Sequence, residues 1–286
     1  MKLLVSHESP IQLFHESLNY NDYQYCLVHL MEENEEYRDW FLTVNKRFDA
    51  DVLLDNSIFE LGESFDPEKY AHWLTKIDPN YYIVPDVLED SEGTMEQWRN
   101  WTDVFEPVDN TSLKIGVVQG KTWQELVECY RFMSDRADYI AISFDYSYYK
   151  YTGSGHDKLE LWCSGRQRFI QDLIHRGYWN WSKPHHLLGC SLAKEFSYYV
   201  DKNITNIRSC DTSNPVVAAL RGLRYNGDLG LRSKPSTMLC DLIKADVDED
   251  TLDNVLYNTK MFKQILGRYE EKEKVYSCES AEDSFQ

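Results

Sequence analysis

Short apolar runs rich in β-branched residues recur along the chain, and segments with helical spacing separate most of them. The predicted strands are KLLVSH from Lys2, YCLVHLM from Tyr25, DVLLDNS from Asp51, YYIVPDV from Tyr81, KIGVVQG from Lys114, YIAIS from Tyr139, HLLGCS from His186 and NIRSCDT from Asn206. Strands that alternate with helices are typical of βα units around a parallel sheet, and eight such strands close a barrel. The pattern therefore predicts an α/β fold, a single-domain (β/α)8 TIM barrel.

Capping signals mark where several of the helices start. Asp66 precedes a proline at the first helical position, and Asp90 and Asp157 stand before other apolar helical patterns. A last helix is expected around Leu252. The predicted organisation is a barrel over residues 1–245, a C-terminal helix packed on it over 246–270, and an acidic, disordered tail over 271–286.

Polar residues follow the predicted strands, at the C-terminal ends where the catalytic groups of such barrels stand. These positions are His7, Asp55, Asp86, Gln119, Ser143 with Asp145, Ser191 and Asp211. An aspartate after a strand is also a common cap or turn former, so local structure explains any one of them equally well. Their shared position favours a site, in which crowded carboxylates raise at least one carboxyl pKa and suit that group to proton transfer.

Charge narrows the classes of partner. The formal net charge is −18, which argues against a broad electrostatic grip on nucleic acid. The net charge does not exclude a local basic patch. One relatively basic stretch contains Arg208, Arg221, Arg224, Arg232 and Lys234.

Neither membrane insertion nor a metal site is indicated. Apolar runs fall short of the roughly 20 residues of a membrane span, and the N-terminus becomes polar too early for a signal peptide, so a cytoplasmic protein is expected. The seven cysteines are scattered without C-x-x-C spacing, which predicts reduced thiols and no metal. Adjacent His185 and His186 point to opposite faces of a strand and are interpreted as structural.

Six phrases stand in the order of corresponding motifs of a known family: LLDNSIFELG from Leu53, VPDVLED from Val84, IGVVQG from Ile115, YIAIS from Tyr139, LLGCSL from Leu187 and SCDTSNP from Ser209. In these phrases the chain resembles the tRNA-guanine transglycosylases (queuine or archaeosine tRNA-ribosyltransferases). The similarity is greatest to the short, phage-type members that place 7-deazaguanine bases in DNA.

The resemblance implies a role for each matched residue. Asp55 would handle the proton of the incoming base, and Asp211 falls near the family's nucleophilic aspartate. The implied substrate-binding residues are Phe59, Asp86, Gln119, Gly120, Ser143, Asp145 and Gly189. The implied reaction exchanges guanine for a preQ0-like 7-deazaguanine derivative in a polynucleotide, with no cofactor, in the host cytoplasm if the gene is a phage's.

The chain departs from the family at two places. The usual D-S-G-G-[YF]-Q reads Asp55-Asn56-Ser57-Ile58-Phe59-Glu60, without the glycine pair. The cysteine cluster and distant histidine that bind zinc are absent after Asp211, which predicts a barrel lacking the zinc subdomain and favours DNA over tRNA.

Two alternatives remain beside base exchange. One is a nucleoside hydrolase-type barrel enzyme, in which water replaces the incoming base. The other is a non-catalytic accessory subunit that binds a base. Carboxylates at both Asp55 and Asp211 count against the accessory role.

Overall fold

Eight parallel strands form a nearly closed barrel in the computed structural model, which describes residues 3–144, 146–189, 192–226 and 238–266. The strands are β1 (Leu4–His7), β2 (Gln24–Leu27), β3 (Val52–Asp55), β4 (Tyr81–Ile83), β5 (Leu113–Val118), β6 (Tyr139–Ile142), β7 (His185–Leu187) and β8 (Ile207–Thr212). Their order in the sheet is β1-β8-β7-β6-β5-β4-β3-β2. The predicted (β/α)8 barrel is confirmed.

Helices surround the barrel and cover its outer face. They are α1 (Phe14–Tyr20), α2 (Val28–Glu33), α3 (Glu35–Phe41), α4 (Val44–Phe48), α5 (Ile58–Leu61), α6 (Pro67–Ile77), α7 (Ser91–Asn100), α8 (Trp123–Arg136), α9 (Ser147–Thr152), α10 (Lys158–His175), α11 (Lys194–Asp201), α12 (Asn214–Leu220) and α13 (Glu249–Ile265). Asp66, Asp90 and Asp157 each accept a backbone N–H of the first helical turn, so the predicted starts are confirmed.

One predicted strand is too long. The run YCLVHLM from Tyr25 was expected to be a strand to its end, but β2 stops at Leu27 and α2 begins at Val28. The Leu27 N–H donates to the Tyr37 hydroxyl at 2.8 Å, which ends the ladder there. Short apolar runs fit a buried helix as well as a strand, and Val28, Leu30 and Met31 are buried on α2.

The register of the sheet aligns the polar strand ends. Leu27 of β2 pairs with Asp55 of β3, and Ser6 of β1 pairs with Asp211 of β8. Gln119 directly follows the last residue of β5. Because all strands are parallel, these side chains stand at the same end of the barrel, which we call the mouth.

Side chains help to join the first two strands along a line that we call the seam, formed by Val5, His7, Asn21 and Asp22. The Asp22 carboxylate accepts the Val5 N–H at 2.9 Å, and the Asp22 N–H donates to the Val5 carbonyl at 2.9 Å. The Asn21 amide accepts from the His7 N–H at 2.6 Å and donates to the His7 carbonyl at 3.0 Å. Two side chains thus continue the hydrogen bonding of the sheet between β1 and β2.

Several predictions fall on residues outside the described ranges. They are the substrate-binding call at Asp145, the strand end at Ser191, the basic residues Arg232 and Lys234, and the acidic tail of residues 271–286. Within the described ranges, no helix has the length and apolar character needed to cross a membrane.

Candidate active site

Asp55 is the last residue of β3 and is held from two sides. The Tyr25 hydroxyl donates to Asp55 Oδ2 at 2.7 Å, and the Ser57 N–H donates to Asp55 Oδ1 at 2.6 Å. The side chain is only 8% exposed. Burial raises the pKa of Asp55 to about 7, and the nearby charges of Asp211 and Asp86 add to this rise while the two hydrogen bonds oppose it.

The backbone after Asp55 keeps a conformation that favours glycine. Ser57 has φ of 60° and stands where the resembled family has the first residue of its glycine pair. An L residue in this region costs about 1–2 kcal/mol. That conformation directs the Ser57 N–H back onto Asp55, so the local strain serves to hold the carboxylate.

Asp86 lies beyond β4 in a fully hydrogen-bonded group. Asn56 Nδ2 donates to Asp86 Oδ1 at 2.7 Å, and Gln119 Nε2 donates to Asp86 Oδ2 at 2.6 Å. The carbonyl of Gln119 accepts the Glu89 N–H at 2.7 Å. Burial raises the pKa of Asp86, and both amide hydrogen bonds oppose this rise. The two residues expected to recognise a purine edge are therefore hydrogen-bonded to each other.

Asp211 stands on β8 across the mouth from these groups. Its Oδ1 lies 3.1 Å from His186 Nε2, and its Oδ2 accepts the Gly189 N–H at 3.1 Å. His186 Nδ1 lies 2.8 Å from the hydroxyl of Ser209, which fixes the plane of the imidazole ring. Gly189 has φ of 62°, and this left-handed conformation allows its N–H to face the carboxylate.

A buried ion pair supports the Asp211 side of the mouth from behind. Arg166 donates from Nε and Nη2 to the two carboxylate oxygens of Glu195, both at 2.7 Å, and each side chain is fully buried. Arg166 Nη1 also donates to the carbonyls of Ile142 at 3.1 Å and Leu188 at 2.7 Å. The guanidinium thereby connects the end of β6 to the residue before Gly189.

Glu60 adds a further carboxyl group to the mouth. It is half-buried on α5, and burial raises its pKa, with the charges of Asp55 and Glu8 adding to the rise. Asp211 also contributes to this rise. Several acids thus share one region, and burial raises the pKa of both Asp55 and Glu60 there.

The other predicted residues have varied surroundings. Phe59 is 58% exposed, so its ring is available at the surface of the mouth. Ser143 is half-buried and follows the end of β6. Gly120 packs so closely against α8 that an added Cβ would lie 2.9 Å from the Cβ of Glu125.

Sequence reasoning missed Tyr25, His186 and Glu60 as members of this site. For Tyr25 the signal is alternation: it lies two residues before Leu27, which pairs with Asp55, so both face the same way. The same rule separates His185 from His186, as expected. Of the two histidines, His186 is the one whose ring lies beside Asp211, so its structural role is to hold a residue of the mouth.

No group of three or more His, Cys, Asp or Glu side chains that could hold a metal ion occurs among the residues that the structure describes. Cys210 lies next to Asp211 and is fully buried. Burial raises the pKa of its thiol well above the ordinary value.

The fold of the chain is similar to those of solved structures. No family model and no curated protein matches the chain. Among solved structures, the chain is similar to the HpcH/HpaI aldolase from Desulfitobacterium hafniense DCB-2, at 13% identity and a TM-score of 0.47, over 77% of this chain and 89% of the aldolase chain. The likeness is too distant to carry an aldolase activity to this chain.

The predicted function is corrected by these comparisons. The sequence predicted exchange of guanine for a 7-deazaguanine derivative, but a solved structure that resembles this chain is an aldolase, and the exchange function is not proposed further. The alternatives of nucleoside hydrolysis and accessory base binding belong to the same predicted function and are not proposed further either. The sequence resemblance itself and the expected partners, a purine base and DNA, stay predictions.

Proposed function

We propose that the protein is an enzyme that uses Asp55 as a general acid and base on a small, polar, neutral or cationic substrate bound at the barrel mouth. The observation that carries this proposal is the environment of Asp55. The carboxyl group ends a barrel strand, is almost buried, and has its pKa raised to about 7. Such a group is present in both protonation states near neutral pH, as efficient proton transfer requires.

The hydrogen-bond partners of Asp55 are compatible with both its ionised and its protonated form. The Tyr25 hydroxyl donates to the ionised carboxylate, and the same carboxyl group can hold a proton while the Ser57 N–H still donates to its other oxygen. Burial raises the pKa of Tyr25 far above its ordinary value, and the charge of Asp55 adds to this effect. Tyr25 therefore stays a neutral donor throughout the cycle.

Asp211 supplies a second carboxyl group in a different environment. Its oxygens are directed by the Gly189 N–H and the His186 ring, and the Arg166–Glu195 ion pair supports that loop. Two carboxyl groups with different surroundings are a common basis for dividing acid and base roles. We assign proton transfer to Asp55 and orientation of the substrate to Asp211.

The charge of the mouth favours a class of substrate. Glu8, Asp55, Glu60 and Asp211 act on one another electrostatically. An anionic substrate would meet repulsion that is strong in a partly buried site, whereas a neutral or cationic one would not.

The proposal is tested by incubating the protein in D₂O with sets of neutral, cationic and anionic polar metabolites. Conversion or deuterium uptake, measured by mass spectrometry, is expected with a neutral or cationic compound. Asp55→Asn should abolish it. The matched control is Asp51→Asn, which changes an aspartate directly before the same strand and at the opposite end of the barrel. Turnover that survives in Asp55→Asn would refute the proposal.

A further inference from the structure

A pocket lies along the seam, beside the mouth rather than in its centre. The residues that line it include His7, Glu8, Ser9, Asn21, Tyr25 and Tyr37. The space between them, including open solvent at its entrance, is about 330 Å³. We call it the seam pocket. One of its walls is Tyr25, whose hydroxyl is bonded to Asp55.

His7 places two unpaired polar atoms in the lining of this pocket. The side chain is 1% exposed, and neither of its ring nitrogens has a hydrogen-bond partner among the described residues. Its ring contacts the edge of Phe262 at 5.4 Å between centroids, an apolar contact that satisfies neither nitrogen. Burial lowers the pKa of His7 well below its ordinary value, so the ring is neutral and offers one donor and one acceptor.

A second buried polar atom of β1, the hydroxyl oxygen of Ser6, also lacks a hydrogen-bond partner among the described residues. Ser6 pairs with Asp211 in the sheet, so it faces the barrel interior while His7 faces the other way. Buried polar groups without partners cost free energy, and ordered water is the usual partner in a narrow space with polar walls.

We propose that the seam pocket holds ordered water that carries protons between solvent and Asp55, with His7 as an anchor for that water. The inference rests on the proposed acid and base function of Asp55. In the transfer, pocket water takes up a proton from solvent and gives one to the Tyr25 oxygen, while the hydroxyl proton of Tyr25 passes to the ionised Asp55 Oδ2, so that the water and Tyr25 both end neutral. Tyr25 ends as it began, and the reverse step returns the proton to water.

The path explains how an almost buried acid can recover its proton during turnover. Bound substrate would cover the mouth, and Asp55 is already 8% exposed without it. The pocket is lined by His7 of β1 and Tyr25 of β2, so it gives Tyr25 a second neighbouring space besides its contact with Asp55.

Proton exchange at Asp55 is measured directly by ¹³C NMR of the protein labelled at the aspartate carboxyl carbons, near pH 7. We expect one averaged Asp55 resonance in the wild type. Tyr25→Phe and His7→Leu should slow exchange several-fold and broaden or split this resonance. Tyr23→Phe is the matched control, because Tyr23 donates to the Cys210 carbonyl and does not line the pocket. Exchange in Tyr25→Phe as fast as in the wild type would overturn the inference.

The Tm of His7→Leu gives a second readout that does not depend on Asp55. Ordered water bonded to His7 would lose its partner in this variant, so the Tm is expected to fall. In a dry pocket the substitution removes two unpaired buried nitrogens, and a raised Tm would therefore refute the water site. His7→Gln, which keeps a donor and an acceptor, should recover fast exchange. Failure of the proposed function looks different: Asp55 would then titrate in the ordinary carboxyl range in the wild type.

Discussion

The two sides of the barrel mouth hold their carboxyl groups by different means. On the side of β3 to β5, Asp55 and Asp86 receive hydrogen bonds from a hydroxyl, a backbone N–H and two amides, all of them neutral donors. On the side of β7 and β8, Asp211 contacts an imidazole, and Glu195 behind it is paired with a guanidinium.

This difference shows how one residue type acquires different behaviour in one site. Neutral donors offset only part of the cost of burying a charge, so burial raises the pKa of Asp55 and Asp86. A buried guanidinium offsets the charge of its partner directly and ties the surrounding backbone in place. The first side is suited to gaining and losing a proton, and the second to staying fixed.

The largest expected loss of stability comes from breaking the buried Arg166–Glu195 ion pair behind Asp211. Arg166→Met leaves the Glu195 charge buried without its partner, and should lower the free energy of unfolding by about 3–5 kcal/mol, measured by urea denaturation. Arg168→Met changes an exposed arginine on the same helix and should have little effect. The double variant Arg166→Met/Glu195→Met should recover most of the loss, and equal losses in the single and double variants would contradict this account.

The next prediction concerns Asp55, and it is tested by how the stability of the protein depends on pH. The folded-state pKa of Asp55, about 7, lies above that of an unfolded aspartate, so the stabilisation is complete at low pH and is lost as pH rises through 7. Asp55→Asn removes the ionisable group and therefore removes this loss of stability at high pH. At pH 8 the variant should be more stable than the wild type by about 2–4 kcal/mol, and the difference should narrow towards pH 4.

Urea denaturation at several pH values measures this effect, with Asp109→Asn, an exposed aspartate, as the control. A stability difference that stays constant with pH would show that Asp55 has the same pKa in the folded and unfolded protein. The two sides of the mouth would then not differ in the way described.

A smaller effect concerns the neutral donors themselves. Gln119→Leu removes the donor to Asp86 Oδ2 and the acceptor for the Glu89 N–H, and should cost about 1–3 kcal/mol of stability. It should also raise the pKa of Asp86 further, which carboxyl NMR can follow. Gln264→Leu, at an exposed position, should leave both quantities unchanged.

The smallest effects come from one left-handed residue on each side. Gly189→Ala should lose about 1 kcal/mol through backbone strain alone, because the added Cβ would lie 3.5 Å from the Cβ of Phe144. Ser57→Gly removes strain of the same kind but also the hydroxyl that accepts the His29 N–H at 3.3 Å, so its net effect should stay below about 1 kcal/mol. Gly177→Ala, with similar φ and open space around it, calibrates the cost, and a gain in Gly189→Ala would contradict it.

Periodicity was enough to predict the barrel and the strand ends that carry Asp55, Asp86, Gln119 and Asp211. Each of these residues lies at or just beyond the end of a predicted strand, so its position depends on local sequence. Tyr25 and His186 lie within apolar strands, and only the register between strands shows which way they face. The function inferred from short phrases was wrong, because phrases at strand ends reflect the demands of a barrel as well as those of a reaction.

The pairing of β1 with β8 has a consequence for synthesis of the chain. Strands β2 to β7 can each pair with the next strand as it leaves the ribosome. In contrast, β1 pairs with β8, so Leu4 cannot pair until Ser209 has been synthesised. Until then Asn21 and Asp22 are among the groups that hold β1 against its other neighbour. An emerging chain therefore carries an exposed strand edge for most of its synthesis, and the first strand made is the last to be enclosed.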